Sequence, residues 1–203
     1  MTRRYLVAAF LLAIASEGAY AQKLVKQETI RSLPAPVVLD NTGMFQDKYA
    51  TVGEDFIIGG QPTEKALREM KAKGVTTVVN LRSPSEMARI GFDEAKLIAD
   101  LGMKYVYIPV RGDSAYPYSP AALEKFTEVM RTNDGKVLLH CTIAWRASHL
   151  WGAYLIQQGV SPADALAHTR AINLMDEHRM DSNSGKQPME LFLGRPVPGI
   201  GKP

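Results

Sequence analysis

The chain has 203 residues, 46% of them hydrophobic and 22% charged, with a formal net charge of +3. That length and balance describe one globular domain able to bury a core and give no sign of a second one. The charge is too small to argue for a nucleic-acid partner.

Residues 1–21 begin with Arg3 and Arg4, continue in an apolar run from Tyr5 to Ile14, and end in Ala19-Tyr20-Ala21. This is the pattern of a secretory signal peptide with a small-x-small cleavage site. The run is shorter than the roughly 20 residues a membrane span needs, and no later stretch qualifies. The expectation is an exported chain starting at Gln22, periplasmic or secreted, with no stable membrane span. Residues 22–50 carry Pro34, Pro36 and no sustained period, and are expected to form an extended lead-in over the surface. The domain proper is expected over 51–180.

From Phe56 the elements become regular. FIIGGQPT predicts a short strand and a turn, with Thr63 capping a helix that carries Ala66, Leu67 and Met70 and ends at Gly74. Thr76 to Leu81 is a β-branched run suited to a buried central strand. A helix over Asp93 to Leu101 ends at Gly102, and Met103 to Val110 reads as another strand. Ser119-Pro120 opens a helix carrying Leu123, Phe126 and Met130, and Asn133-Asp134-Gly135 turns the chain. Then come a strand at Val137 to Leu139, a helix from about Arg146 to Gln158, and one from Ser161-Pro162 to about Ile172. Residues 181–203 are rich in Gly and Pro and are expected to be a loose tail. Strands alternating with helices predict an α/β fold with a mostly parallel sheet flanked by helices, its ligand beyond the carboxyl ends of the strands.

The stretch KVLLHCTIAWRASHLW, Lys136 to Trp151, carries the chemistry. It reads as strand, loop and helix. Backbone N–H groups at a helix N-terminus lack intrahelical partners and form a cup for an anion. Cys141 at the rim of that cup, near a guanidinium, is expected to be an activated nucleophile. Arg146 supplies a planar fork for two oxygens of one oxyanion. A lone cysteine ending a strand is most often a small core hydrophobe, but His140-Cys141, the arginine and the strand-to-helix context together reverse that reading. Export strengthens it, because the single cysteine cannot form an internal disulfide and an idle thiol is a liability in an oxidising compartment. The loop residues Thr142, Ile143, Ala144 and Trp145, with Ala147 after the arginine, are expected around the substrate. His140, Ser148 and Arg82 are expected to support the cup. The four histidines show no metal-ligand spacing, so no metal and no cofactor are expected.

The loop resembles the active-site loop of the cysteine-dependent phosphatases, the protein tyrosine and dual-specificity group, in which His-Cys is followed by five residues and then Arg. Here four residues intervene, as in a bacterial phosphatase-like branch known as beta-lactamase-hydrolase-like proteins. FIIGGQPTEKALREMKAKGVTTVVNLRSPSE resembles the opening of that branch, so the likeness covers about Phe56 to Ile172. It implies the phosphatase fold, a phosphorylated substrate and a phosphocysteine intermediate. It also implies a general acid on the loop after the strand ending near Val110, where Asp113 is the matching residue.

Two other readings stay open. Four intervening residues is also the spacing of rhodanese-type sulfurtransferases, in which Cys141 would carry a persulfide. Ala144 where a glycine is usual, and Ala147 after the arginine, fit a degenerate module that binds anions without turnover; Ala144 would meet a steric penalty if its φ is positive.

Overall fold

The structure is a computed structural model that describes residues 35–39, 42–174 and 185–200. The expected signal peptide, residues 1–21, lies outside the described residues. Among the described residues no helix is long and apolar enough to cross a membrane.

Six strands form one mixed sheet: β1 (Val37–Leu39), β2 (Tyr49–Val52), β3 (Phe56–Gly59), β4 (Val75–Asn80), β5 (Lys104–Tyr107) and β6 (Lys136–His140), in the order β1-β2-β3-β6-β4-β5. β3, β6, β4 and β5 run parallel, while β1 and β2 add an antiparallel edge. The segment read as a surface lead-in therefore extends the sheet. Its strands are three and four residues long, too short for a sequence period, and the pairing of β1 with β2 and of β2 with β3, rather than local pattern, defines them.

The helices among the described residues are α1 (Glu64–Ala72), α2 (Pro84–Met87), α3 (Glu94–Asp100), α4 (Pro120–Thr132), α5 (Trp145–Gln157), α6 (Pro162–Ile172) and α7 (Pro188–Leu193). Thr63, Asp93, Ser119 and Ser161 each cap a helix through the side-chain oxygen, satisfying an amide that has no intrahelical partner. Because side chains alternate across a strand, Ile57, Val78 and Leu138 pack with Leu67 and Met70 of α1 and Ile98 of α3. Phe56 faces the other way and stacks on Trp151 of α5 at 4.3 Å.

Residues 188–193 correct the expectation of a loose tail. Met189 and Phe192 are fully buried, and a Cβ on Gly152 of α5 would lie 2.3 Å from Met189 Cε, so the missing side chain admits α7. The Pro and Gly that read as looseness are its punctuation: Pro188 opens the helix and Gly194 closes it at φ 67°.

β6 thus runs up the middle of the sheet between β3 and β4, and its carboxyl end carries Cys141.

Candidate active site

His140 ends β6, and Leu81 N donates to its carbonyl at 3.0 Å. Cys141 follows, 1% exposed, its amide 3.3 Å from Gly59 O. The chain then turns in three residues. Thr142 O accepts from Gln61 N at 2.9 Å, Ile143 O accepts from Asn173 Nδ2, and Ala144 O accepts both Ser148 N at 2.8 Å and Ser148 Oγ at 2.9 Å. Ala144 adopts φ 66°, a left-handed conformation that costs a non-glycine residue about 1–2 kcal/mol. Ser148 thereby supports the loop from below, by fixing the carbonyl of its strained residue.

Arg146, 8% exposed, sits in the first turn of α5. Its Nη1 donates to Glu86 Oε2 at 3.0 Å and Val110 O at 2.6 Å, and its Nη2 to Glu86 Oε1 at 2.5 Å and Thr142 Oγ1 at 2.9 Å. Thr142 Oγ1 donates in turn to Glu86 Oε1 at 2.8 Å. The Nε–H edge of the guanidinium and the amides of Thr142, Ile143 and Arg146 have no acceptor among the described residues. They are donors held ready for an anion.

Glu86 comes from α2, whose capping box joins Glu86 Oε2 to Ser83 N at 2.8 Å. Burial pushes its carboxyl up, but the hydrogen bonds from Arg146, Ser83 and Thr142 and the Arg146 charge outweigh this and hold its pKa down at about 2. Burial likewise opposes the Arg146 charge, while Cys141 and Glu86 raise its pKa above the ordinary value.

A cavity of about 320 Å³ opens above these groups, lined by Glu86, Cys141, Thr142, Ile143, Trp145 and Arg146. Of the residues expected around the substrate, Thr142, Ile143 and Trp145 line it. Ala144 and Ala147 do not: both are fully buried, Ala144 because the loop turns inward there, and Ala147 because one step along a helix rotates a side chain by about 100°. Trp145 is both wall and packing, its ring set edge-on to His149 at 4.6 Å. Burial pushes His149 down to about 3, so it stays neutral. Among the described residues no cluster of side chains could hold a metal ion.

Asp113 is elsewhere. It lies in the exposed loop between β5 and α4, where its Oδ1 accepts Ala115 N at 3.1 Å and Tyr116 N at 2.8 Å. It is not among the residues lining the cavity. Arg82, by contrast, is buried beneath the cup, with Nη1 on Gln61 Oε1 at 2.6 Å and Nη2 on Glu86 O at 3.0 Å.

The sequence reading placed His140 behind the nucleophile but missed the groups around it. His140 is fully buried with Nε2 3.2 Å from Glu94 Oε1, and Glu94 is itself 2% exposed. Gln61 Nε2 and Asn80 Nδ2 also donate to this carboxylate, at 2.5 and 2.7 Å. The available signal was Glu94 falling just inside the Asp93 cap, on the apolar face shared with Leu97 and Ile98.

Residues 35–187 match the family described as DSP-PTPase phosphatase fused to NAD+ kinase. A beta-lactamase hydrolase-like protein of Xylella fastidiosa (strain Temecula1) is 27% identical over 132 residues, 63% of this chain. The chain spans about 30% of the length of that curated relative. A DUF442 protein from Shewanella putrefaciens CN-32 is 32% identical across 57% of this chain and 71% of its own, with a TM-score of 0.47. P. aeruginosa TpbA, solved in complex with pTyr, has a TM-score of 0.54 at 16% identity, covering 79% of this chain and 94% of its own. That likeness gives the protein tyrosine phosphatase fold, the one implied by the resemblance of the loop and of the segment from Phe56. By the match over 35–187, the chain belongs to the DSP-PTPase family of cysteine-dependent phosphatases.

Proposed function

We propose that the chain hydrolyses a phosphomonoester, of phosphotyrosine type or a small-molecule phosphate, through a phosphocysteine intermediate. The observation that carries this reading is the guanidinium of Arg146, clamped by Glu86 and Val110 O, with its Nε–H edge and three loop amides unused beside Cys141. In this mechanism Cys141 Sγ attacks phosphorus and the bond to the leaving oxygen breaks. Arg146 Nε–H and the loop amides hold the equatorial oxygens, each such donor contributing about 3 kcal/mol in comparable sites. Water then cleaves the S–P bond, returning Cys141 and releasing phosphate.

The leaving oxygen also needs a proton. Glu86 lines the cavity, but its pKa of about 2 leaves it ionised near neutral pH. Asp113 is the acid in this proposal, brought to the cup by movement of residues 111–118 about Gly112, which has φ 86°. The pattern of residues 1–21 supports an exported location, tested by separating periplasm from cytoplasm and sequencing the mature N-terminus.

The test compares reduced protein with Cys141→Ser, assayed side by side for aryl phosphate hydrolysis and for sulfur transfer from thiosulfate to cyanide. The expected result is phosphate release that depends on Cys141 and no sulfur transfer. Sulfur transfer alone would mean that the four-residue loop sets the chemistry, and undiminished phosphate release by Cys141→Ser would sink the covalent mechanism.

A further inference from the structure

The cup is fastened from outside by a bridge that takes no part in the proposed reaction. Residues 44–48 lie along the Gly-Gln-Pro turn: Gln46 N donates to Gln61 O at 2.8 Å, Lys48 O accepts Gly60 N at 3.0 Å, and Met44 O accepts Thr63 N at 3.0 Å. Asp47, held between the anchored Gln46 and Lys48, has a left-handed backbone with φ 65°. Its Oδ2 accepts Asn173 Nδ2 at 3.1 Å, from a residue 126 positions away that ends α6. The same Nδ2 donates to Ile143 O in the cup loop. Asn173 is 6% exposed, so little water competes for these bonds.

Three non-glycine residues have positive φ among the described residues, and two of them, Asp47 and Ala144, stand at the two ends of this bridge. Such strain persists only where the surroundings over-determine it, and it gathers at functional sites. A carboxamide nitrogen carries two hydrogens, and here both go to acceptors, one a carboxylate and one a carbonyl. Asp47 therefore decides which way the Asn173 carboxamide faces, because turning Oδ1 inward would set oxygen against oxygen.

The described peptide bonds are all trans, and in a trans peptide the C=O and N–H point in opposite directions. Drawing Ile143 O outward to Asn173 turns Ala144 N–H to the inner side of the loop, and this amide has no acceptor among the described residues. Left unheld, the Ile143–Ala144 peptide can turn over. That relieves the left-handed backbone of Ala144 and brings a carbonyl oxygen to where an anion must sit.

We infer that Asn173 and Asp47 are positioning residues for the anion cup: Asp47 orients the Asn173 carboxamide, which holds the Ile143 carbonyl outward and aims Ala144 N–H at the bound oxyanion. The inference rests on the loop binding an oxyanion, as in the proposed function, but not on that anion being hydrolysed.

The test is the affinity of the full reduced chain for tungstate, a tetrahedral oxyanion with no leaving group, measured by calorimetry beside melting curves and kinetics on nitrophenyl phosphate. Asn173→Ala is expected to bind tungstate about tenfold more weakly, the scale of one hydrogen bond to a charged group. In a chain that hydrolyses the ester it should lower kcat more than it raises KM, because donors of this kind act most strongly on transition-state charge. A merely structural contact would lower the melting temperature and leave the tungstate affinity of the folded protein unchanged, and that result overturns the inference. Asp47→Gly keeps the left-handed backbone at no steric cost and should weaken tungstate similarly, whereas Asp47→Asn, which retains an acceptor oxygen, should recover most of the affinity. The double variant of Asp47→Gly and Asn173→Ala should bind no more weakly than Asn173→Ala alone, and a loss that is the sum of the two overturns the inference. Should Asn173→Ala fail to fold, a tungstate affinity in Asp47→Gly equal to that of the parent chain overturns it alone. A parent chain that binds no tungstate overturns it as well. Weakened tungstate binding by the variants of a parent without aryl phosphatase activity retains the inference and removes the proposed function.

Discussion

Two loops leave the carboxyl end of the sheet, and they are built in opposite ways. In the β6–α5 loop every carbonyl from Thr142 to Ala144 is pinned, by Gln61, Asn173 and Ser148, and the residue in left-handed conformation is fully buried. The β5–α4 loop holds itself: Asp113 accepts the amides of Ala115 and Tyr116, Tyr116 O accepts those of Arg111 and Gly112, and the segment is largely exposed. The first arrangement fixes donors where charge develops in the proposed reaction, which is where preorganisation contributes most. In the second, few buried contacts oppose the local opening that the proposed movement of Asp113 requires.

The contrast can be broken most severely at its rigid end. Arg146→Ala leaves the half-buried Glu86 carboxylate without its paired cation, and is expected to destabilise the fold by up to about 3 kcal/mol while abolishing turnover, read by urea denaturation and by aryl phosphate assay. Gly60→Ala comes next. A Cβ there would stand 1.8 Å from Gln46 O and 2.8 Å from Thr142 O, so main chain must move on both sides. A loss of about 1–3 kcal/mol and a lower kcat are expected, the first measured by thermal melting.

The acid dependence of stability sharpens the same point. Glu86 is depressed in the folded protein to about 2, against about 4.3 when unfolded. Its contribution is therefore fully present above about pH 4.3 and lost as pH falls toward about 2, amounting to at most about 3 kcal/mol. Glu86→Gln should flatten the stability profile within that window, seen in urea midpoints taken at successive pH values. The smallest effect on the fold belongs to the exposed loop. Asn can accept the same two amides as Asp113, so Asp113→Asn should change stability by less than about 0.5 kcal/mol. Its kcat should fall about a hundredfold for an alkyl phosphate and little for a nitrophenyl phosphate, whose leaving group needs no proton.

The rigid loop was also the more legible of the two from sequence. An apolar strand, a His-Cys pair and an arginine that opens a helix are all local, and the helix caps Thr63, Ser119 and Ser161 announce themselves within four residues. What escaped reading depends on contacts between distant positions. Glu94 lies 33 residues from Gln61, and Asn173 lies 30 from Ile143. Nothing around Asn173 marks it as part of the cup, and the one sign at Glu94 is a charge on the apolar face of its helix. Helix α7 escaped for another reason: its two fully buried anchors sit between a Pro and a Gly, and residues that end a helix resemble residues that prevent one.

The end-on pairing of Glu86 with Arg146 bears on how a substrate arrives. The strongest cation of the cup is already neutralised at contact distance by a carboxylate, so an approaching dianion meets little net field from beyond the Debye length, about 8 Å at physiological ionic strength. Capture then relies on amide dipoles that act only at short range, and association is governed by collision and fit rather than by long-range steering. Adding salt to the medium would accordingly leave the on-rate close to its value in dilute buffer.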